Sequence, residues 1–113
     1  MKNSIMAQGD ILIIPVDDIP SGLPNKNSND GKIILAEGEI TGHNHTILDN
    51  SLEGAWVDEK DNVWLQVKEL LNTVPSINHQ EHDKIDLQPG RKYKIVKQQE
   101  YISPIIKPRP VGD

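Results

Sequence analysis

Apolar and polar positions alternate in short runs along this chain, and Pro, Gly, Asn and Asp punctuate them. That spacing predicts strands and turns rather than helices. Residues 11–16 (ILIIPV) follow Gly9-Asp10, are rich in β-branched side chains and read as a strand. Pro15 cannot donate to a ladder, so that end belongs at a sheet edge or strand terminus. Residues 17–32 are a run of Pro, Gly, Asn, Asp and Ser and read as a polar loop. A loop of that length in a small domain is often functional. Residues 32–48 read as strand, turn, strand, with Gly38 and Gly42 at the bends. From Gly42 onward His43, His45 and Ile47 share one face, while Asn44, Thr46 and Leu48 take the other.

Residues 54–67 read as a hairpin turning at 58–62. Val63, Val67, Leu70 and Leu71 also fit a helical period, but the turn residues before them favour the strand. One helical turn is expected near 69–72. Trp56 and Trp64 are expected to pack across the hairpin as core. In residues 77–87 (INHQEHDKIDL) the odd positions carry every apolar residue plus His79 and Glu81, and the even positions are wholly polar. As one strand this segment points His79 and Glu81 inward and His82 outward. A bulge or turn near Gln80 would instead bring His82 round. Pro89-Gly90 marks a β-turn, and Tyr93 and Ile95 alternate along the strand after it. Pro104, Pro108 and Pro110 forbid a helix and a central strand, so 102–113 is expected to be an extended arm.

The pattern predicts one domain over 1–113, mainly β: a small antiparallel β-barrel or sandwich with at most one short helix. Composition sharpens this. With no Phe and aromatics at 4%, the core must come from Ile, Leu and Val. A core this thin invites support from a metal or a partner subunit, so a homo-oligomer is expected. The absence of Cys excludes disulfides and thiolate zinc sites. MKNSIMAQGD has no apolar signal region, and no stretch reaches the ~20 apolar residues of a membrane helix. A cytoplasmic location without membrane contact is therefore expected. A net charge of −5 with scattered Lys and Arg argues against nucleic acid as the main partner. A small-molecule substrate or a protein partner fits better.

The chemistry concentrates in the four histidines, which form two clusters: Gly42-His43-Asn44-His45 and His79-Gln80-Glu81-His82. Two His at i and i+2 on a strand project to one side and can reach one ion. Neutral imidazole is the commonest protein metal ligand, and Glu81 and Asp83 add oxygen donors. The candidate ligands are His43, His45, His79 and His82. The candidate ion is a divalent transition metal such as Zn, Fe, Ni or Mn. Glu81 is the candidate general base of a metal-dependent hydrolysis. Glu100 and Tyr101 are candidates to support the ligands. The bland alternative is a set of hydrogen-bonded histidines organising a polar core. The alternative function is a non-catalytic accessory or partner-binding module with a structural metal or none. Glu37 and Glu39 read as a solvent-facing strand edge.

Over most of its length the chain resembles a group of small uncharacterised prokaryotic and phage proteins. The residues that carry the likeness are Gly42-His43-Asn44-His45, His79-Gln80-Glu81-His82 with Ile85 and Leu87, Pro89-Gly90, and Gln98-Gln99-Glu100-Tyr101. The resemblance implies a shared pattern and no particular activity. A weaker resemblance is to cupins, which hold metal with three His and one Glu in a β-barrel. His43-Asn44-His45 matches their HxH, and Asp49 stands near their Glu position. No His follows Pro89-Gly90, where cupins place one, so the likeness implies architecture alone.

Overall fold

The computed structural model describes residues 4–37 and 43–97. Its strands are β1 (Met6–Gln8), β2 (Ile11–Val16), β3 (Lys32–Glu37), β4 (Asn44–Leu48), β5 (Leu52–Val57), β6 (Val63–Val67), β7 (Ser76–Ile77), β8 (Ile85–Asp86) and β9 (Lys92–Lys97). Every pairing between them is antiparallel. Five strands form one sheet in the order β1-β2-β9-β6-β5. β3 pairs β4, and β7 pairs β8. Thr46 and Asn78 exchange backbone hydrogen bonds of 2.9 and 2.8 Å, which join these two ribbons into a second layer.

The two layers meet as a sandwich, and the described sheets do not close into a barrel. Ile11, Ile13, Val63, Leu65, Val67, Tyr93 and Ile95 come from the five-stranded layer. They share one core with Ile33, Leu35, Ile47, Ile77 and Leu87 from the other side. The period-2 alternation of β2, β6 and β9 produces this face directly. Burying a Leu, Ile or Val side chain contributes about 1.5–3 kcal/mol.

Pro15 lies beyond the end of β1, which pairs only with Ile11–Ile13, so its missing N–H costs no ladder bond on that side. The free edge of β5 is covered by residues of the 17–32 loop. Lys26 N–H donates to Ala55 O and Val57 N–H donates to Pro24 O. Covering an edge in this way blocks strand addition.

Several expectations need correction. The helical turn expected near 69–72 does not form, and the only helical turn among the described residues is a 3-10 turn at Asp49–Ser51. Trp56 and Trp64 do pair across the β5–β6 hairpin, but on its outer face and half-buried. The alternation assigns the core side to Ala55, Val63 and Leu65, which leaves the indoles outside. Residues 77–87 are not one strand. Ile77 pairs Ile85, so 78–84 form the loop of a hairpin and the turn reading is the correct one. Glu37 is exposed, as expected of a strand edge. The bends at Gly38 and Gly42, Glu39, the Gln98–Tyr101 element and the arm 102–113 lie outside the described residues.

Candidate functional site

The site begins at a two-residue turn that the hydrophobic pattern alone does not reveal. Gln8 pairs Ile11, so Gly9-Asp10 connects β1 to β2. Gly9 takes φ +59°, as the first central residue of a type II′ turn requires. The turn places Gln8 and Asp10 beside the buried end of β4. Residues 78–84 close over it from the other ribbon.

All four histidines converge there. The ring of His79 lies 5.9 Å from that of His43, 4.4 Å from that of His45 and 4.7 Å from that of His82. The rings of His45 and His82 are parallel within 3° at 6.4 Å. His45 is fully buried, His43 and His79 are half-buried, and His82 is on the surface. Gly9 backs on to the cluster: a Cβ there would sit 2.6 Å from His82 Nε2 and 3.4 Å from His45 Cε1.

His45 has a defined hydrogen-bond environment. Gln8 Nε2 donates to the carbonyls of Ile77 and Asp83, each at 2.9 Å. That turns Gln8 Oε1 toward His45, and Nδ1 of His45 donates to it at 2.8 Å. A neutral His45 then carries a bare Nε2, which lies 2.9 Å from Oδ1 of Asp10. Two acceptors at that separation call for a cation between them, either a proton or a metal ion. Burial works against the proton: desolvation lowers the His45 pKa, and His79 and His82 push the same way. The Asp10 contact pulls it upward, but the net shift is down.

The other candidates are placed less favourably. Glu81 N–H donates to His79 Nδ1 at 3.0 Å, which occupies that lone pair and leaves the proton of a neutral ring on Nε2. His43 Nδ1 is buried without a hydrogen bond and lies 3.5 Å from Glu81 Oε2. Glu81 is exposed at the rim. Asp83 contributes its carbonyl to Gln8. Among the described residues, no three His, Asp or Glu side chains have their donor atoms already gathered around one ion-sized point. Ligation by His79 therefore requires its ring to turn away from Glu81 N–H.

Sequence reasoning missed Gln8 and Asp10. Gly9-Asp10 is a two-residue hairpin signal, and reading it would have paired Met6–Gln8 with β2. Asp49, at the cupin Glu position, does not join the histidines in what it lines. It borders a cleft with Asn25, Lys26, Leu52 and Trp56, whose walls include no histidine. No helix among the described residues is long and apolar enough to cross a membrane.

No curated protein and no solved structure matches this chain. One family model does, over residues 7–98, a span that holds both histidine clusters, Gln8 and Asp10. The chain belongs to the family described as a domain of unknown function, DUF8820.

Proposed function

We propose that this protein binds a divalent transition metal at the convergence of its histidines, with His45 Nε2 and Asp10 Oδ1 as the first ligands. The observation that carries the reading is the 2.9 Å approach of these two atoms while Gln8 holds His45 with its other nitrogen as the donor. With bonds of ~2.0–2.2 Å two ligands of one ion sit about 3 Å apart at a 90° octahedral angle and about 3.4 Å apart at a tetrahedral one, so the 2.9 Å approach fits an octahedral ion as it stands and opens by about 0.5 Å for tetrahedral Zn. A ligating His whose second nitrogen donates to a fixed acceptor is a recurrent feature of metal sites. His79 and His82, whose rings lie together on one side of that of His45, complete the set once the His79 ring turns from Glu81 N–H, and His43 stands behind His79. Imidazole with one carboxylate suits Zn, Fe, Ni or Mn.

The reaction class that follows is metal-assisted hydrolysis, with Glu81 as general base because it sits exposed at the rim beside His43. A second reading has its own support. The Glu81 N–H bond to His79 Nδ1 suits a hydrogen-bonded polar node in a non-catalytic, partner-binding module, where a proton bridges His45 and Asp10. A homo-oligomer and a cytoplasmic setting belong to either reading.

Asp10→Asn separates the two. The variant amide donates to a neutral His45 Nε2, so it preserves the node without a cation. Purified wild-type protein loaded in turn with Zn, Fe, Ni and Mn should retain about one ion per chain of at least one of them by elemental analysis after gel filtration, and Asp10→Asn should lose it while keeping its melting temperature in EDTA. Wild-type protein that retains no metal from any of the four ions sinks the proposal.

A further inference from the structure

The outer face of the five-stranded sheet carries a second feature, independent of the histidines. Trp56 lies flat along β5 over Gly54, where a Cβ would come within 2.5 Å of the indole. The glycine thus makes the shelf on which the ring rests. Beside it is a cleft of about 550 Å³ lined by Trp56, Gln66, Leu70, Glu53, Glu69 and Lys68. Leu70 is 91% exposed at its margin. A flat indole, an exposed Leu and two exposed carboxylates make a surface for an extended, apolar and basic peptide.

The chain itself contains an apolar, basic and proline-rich stretch of sequence outside the described residues. Residues 102–111 (ISPIIKPRPV) carry three prolines, four β-branched apolar side chains, Lys107 and Arg109, with no acidic residue. We infer that residues 102–111 dock within the same molecule on the Trp56–Leu70 cleft, with Lys107 and Arg109 toward Glu53 and Glu69.

Reach allows it. Lys97 ends β9 beyond the rung Ile95–Val63, and Val63 pairs Val57 at the end of β5 next to Trp56. Two strand spacings separate β9 from β5, about 10 Å. Residues 98–101 span up to about 13 Å when extended. Any ten-residue segment spans about 31 Å at the polyproline rise, against about 20 Å for the length of β5. The mode of docking also follows. The β5 edge is already taken by residues 24–26, so strand addition is closed. A proline-rich segment needs no ladder partner and can bind through side chains alone.

The chain has no cysteine, so Gly112→Cys provides a single site for a nitroxide label on the full-length protein. NMR of this protein should show paramagnetic broadening at the Trp56 indole N–H and the Leu70 methyls, but not at Ile47 in the second layer. Reversing charge with K107E/R109E should reduce the broadening several-fold. Both substitutions lie outside the described residues, and the rest of the spectrum is a control for folding. Absence of broadening at Trp56 and Leu70 overturns the inference. So does broadening that appears when labelled protein is mixed with unlabelled isotope-enriched protein, which would assign the segment to a second copy. Broadening undiminished by charge reversal overturns the pairing with Glu53 and Glu69.

Discussion

Gln8 holds His45 in a single orientation: its Oε1 accepts from His45 Nδ1 at 2.8 Å while its Nε2 is anchored on two backbone carbonyls. The three bonds tie β1, β4 and both ends of the 78–84 loop together through one side chain that is 3% exposed. The relationship links stability to the proposed metal chemistry, because the group that locks the loop also decides which nitrogen of His45 is free.

Gln8→Leu preserves much of the volume and removes all three bonds. It leaves two carbonyls and one ring nitrogen without partners in a buried setting. An unsatisfied buried polar group costs about 1–3 kcal/mol, and relaxation of the exposed loop toward water recovers part of that. The expected loss is about 2–4 kcal/mol in urea unfolding with EDTA present. Metal affinity should fall about 10–100-fold, as when a ligand-orienting contact is removed. An unfolding curve matching wild type would show that Gln8 does not bear on the fold in this way.

Gly9→Ala tests the close approach of the turn to the cluster. The φ of +59° costs a non-glycine residue about 1–2 kcal/mol. The added Cβ would meet His82 Nε2 at 2.6 Å, so the exposed His82 ring must move. The expected result is a melting temperature lower by several degrees and weaker metal binding, read by cobalt absorption titration. If the loss of stability occurs with metal affinity intact, His82 is not a ligand.

The sandwich was legible wherever one face of a strand is buried. The alternation of Ile11-Ile13, Val63-Leu65-Val67 and Tyr93-Ile95 encodes the core face directly. The histidine convergence was legible for a similar reason, since His45 continues the buried face of Ile47. Segment 77–87 misled because its alternation describes a strand that the chain breaks: Gln8 and Asn44 hold 78–84 as a loop through bonds to residues far apart in sequence. Periodicity carries no record of such contacts. Trp56 and Trp64 misled because their size suggested core, whereas their register with Ala55 and Leu65 placed them outside. Gln8 and Asp10 went unseen because a polar side chain at a turn has no period to stand out against.

Asp58 sets an acid limit on the β5–β6 hairpin. Burial, the largest single influence, raises its pKa, but hydrogen bonds from Trp64, Asn62 and Lys60 together outweigh it, and the net shift is below 3.8. Its Oδ2 accepts from Trp64 Nε1 at 3.0 Å, and its Oδ1 accepts from the N–H groups of Lys60 and Asn62. The folded state thus binds this proton less readily than the unfolded state. The stabilisation is present above the unfolded pKa and is lost as pH falls through the folded value. Asp58→Asn should melt below wild type at pH 7, and the gap should shrink as pH drops below about 4. A gap that stays constant from pH 7 to pH 3 would deny the carboxylate this role.

His45 and His82 should respond differently to truncation, and the contrast separates fold from ligation. His45 is fully buried, so His45→Ala opens a cavity and strands Gln8 Oε1 and Asp10. The expected cost is about 2–4 kcal/mol in EDTA, and with metal present the lost ion adds to it. A difference seen only with metal is therefore not expected of this residue, and loss in EDTA does not argue against ligation. His82 is exposed, and no hydrogen bond in the folded core depends on it, so His82→Ala should change stability in EDTA by no more than about 0.5 kcal/mol. With metal present it should lose most of the added stabilisation that the ion gives wild type, since that increment grows with the ratio of ion concentration to Kd. Thermal melts of both variants with and without Zn supply the comparison. A metal-induced rise in His82→Ala equal to that of wild type would remove His82 from the site and leave Asp10 and His45 to bind the ion with His79 and His43.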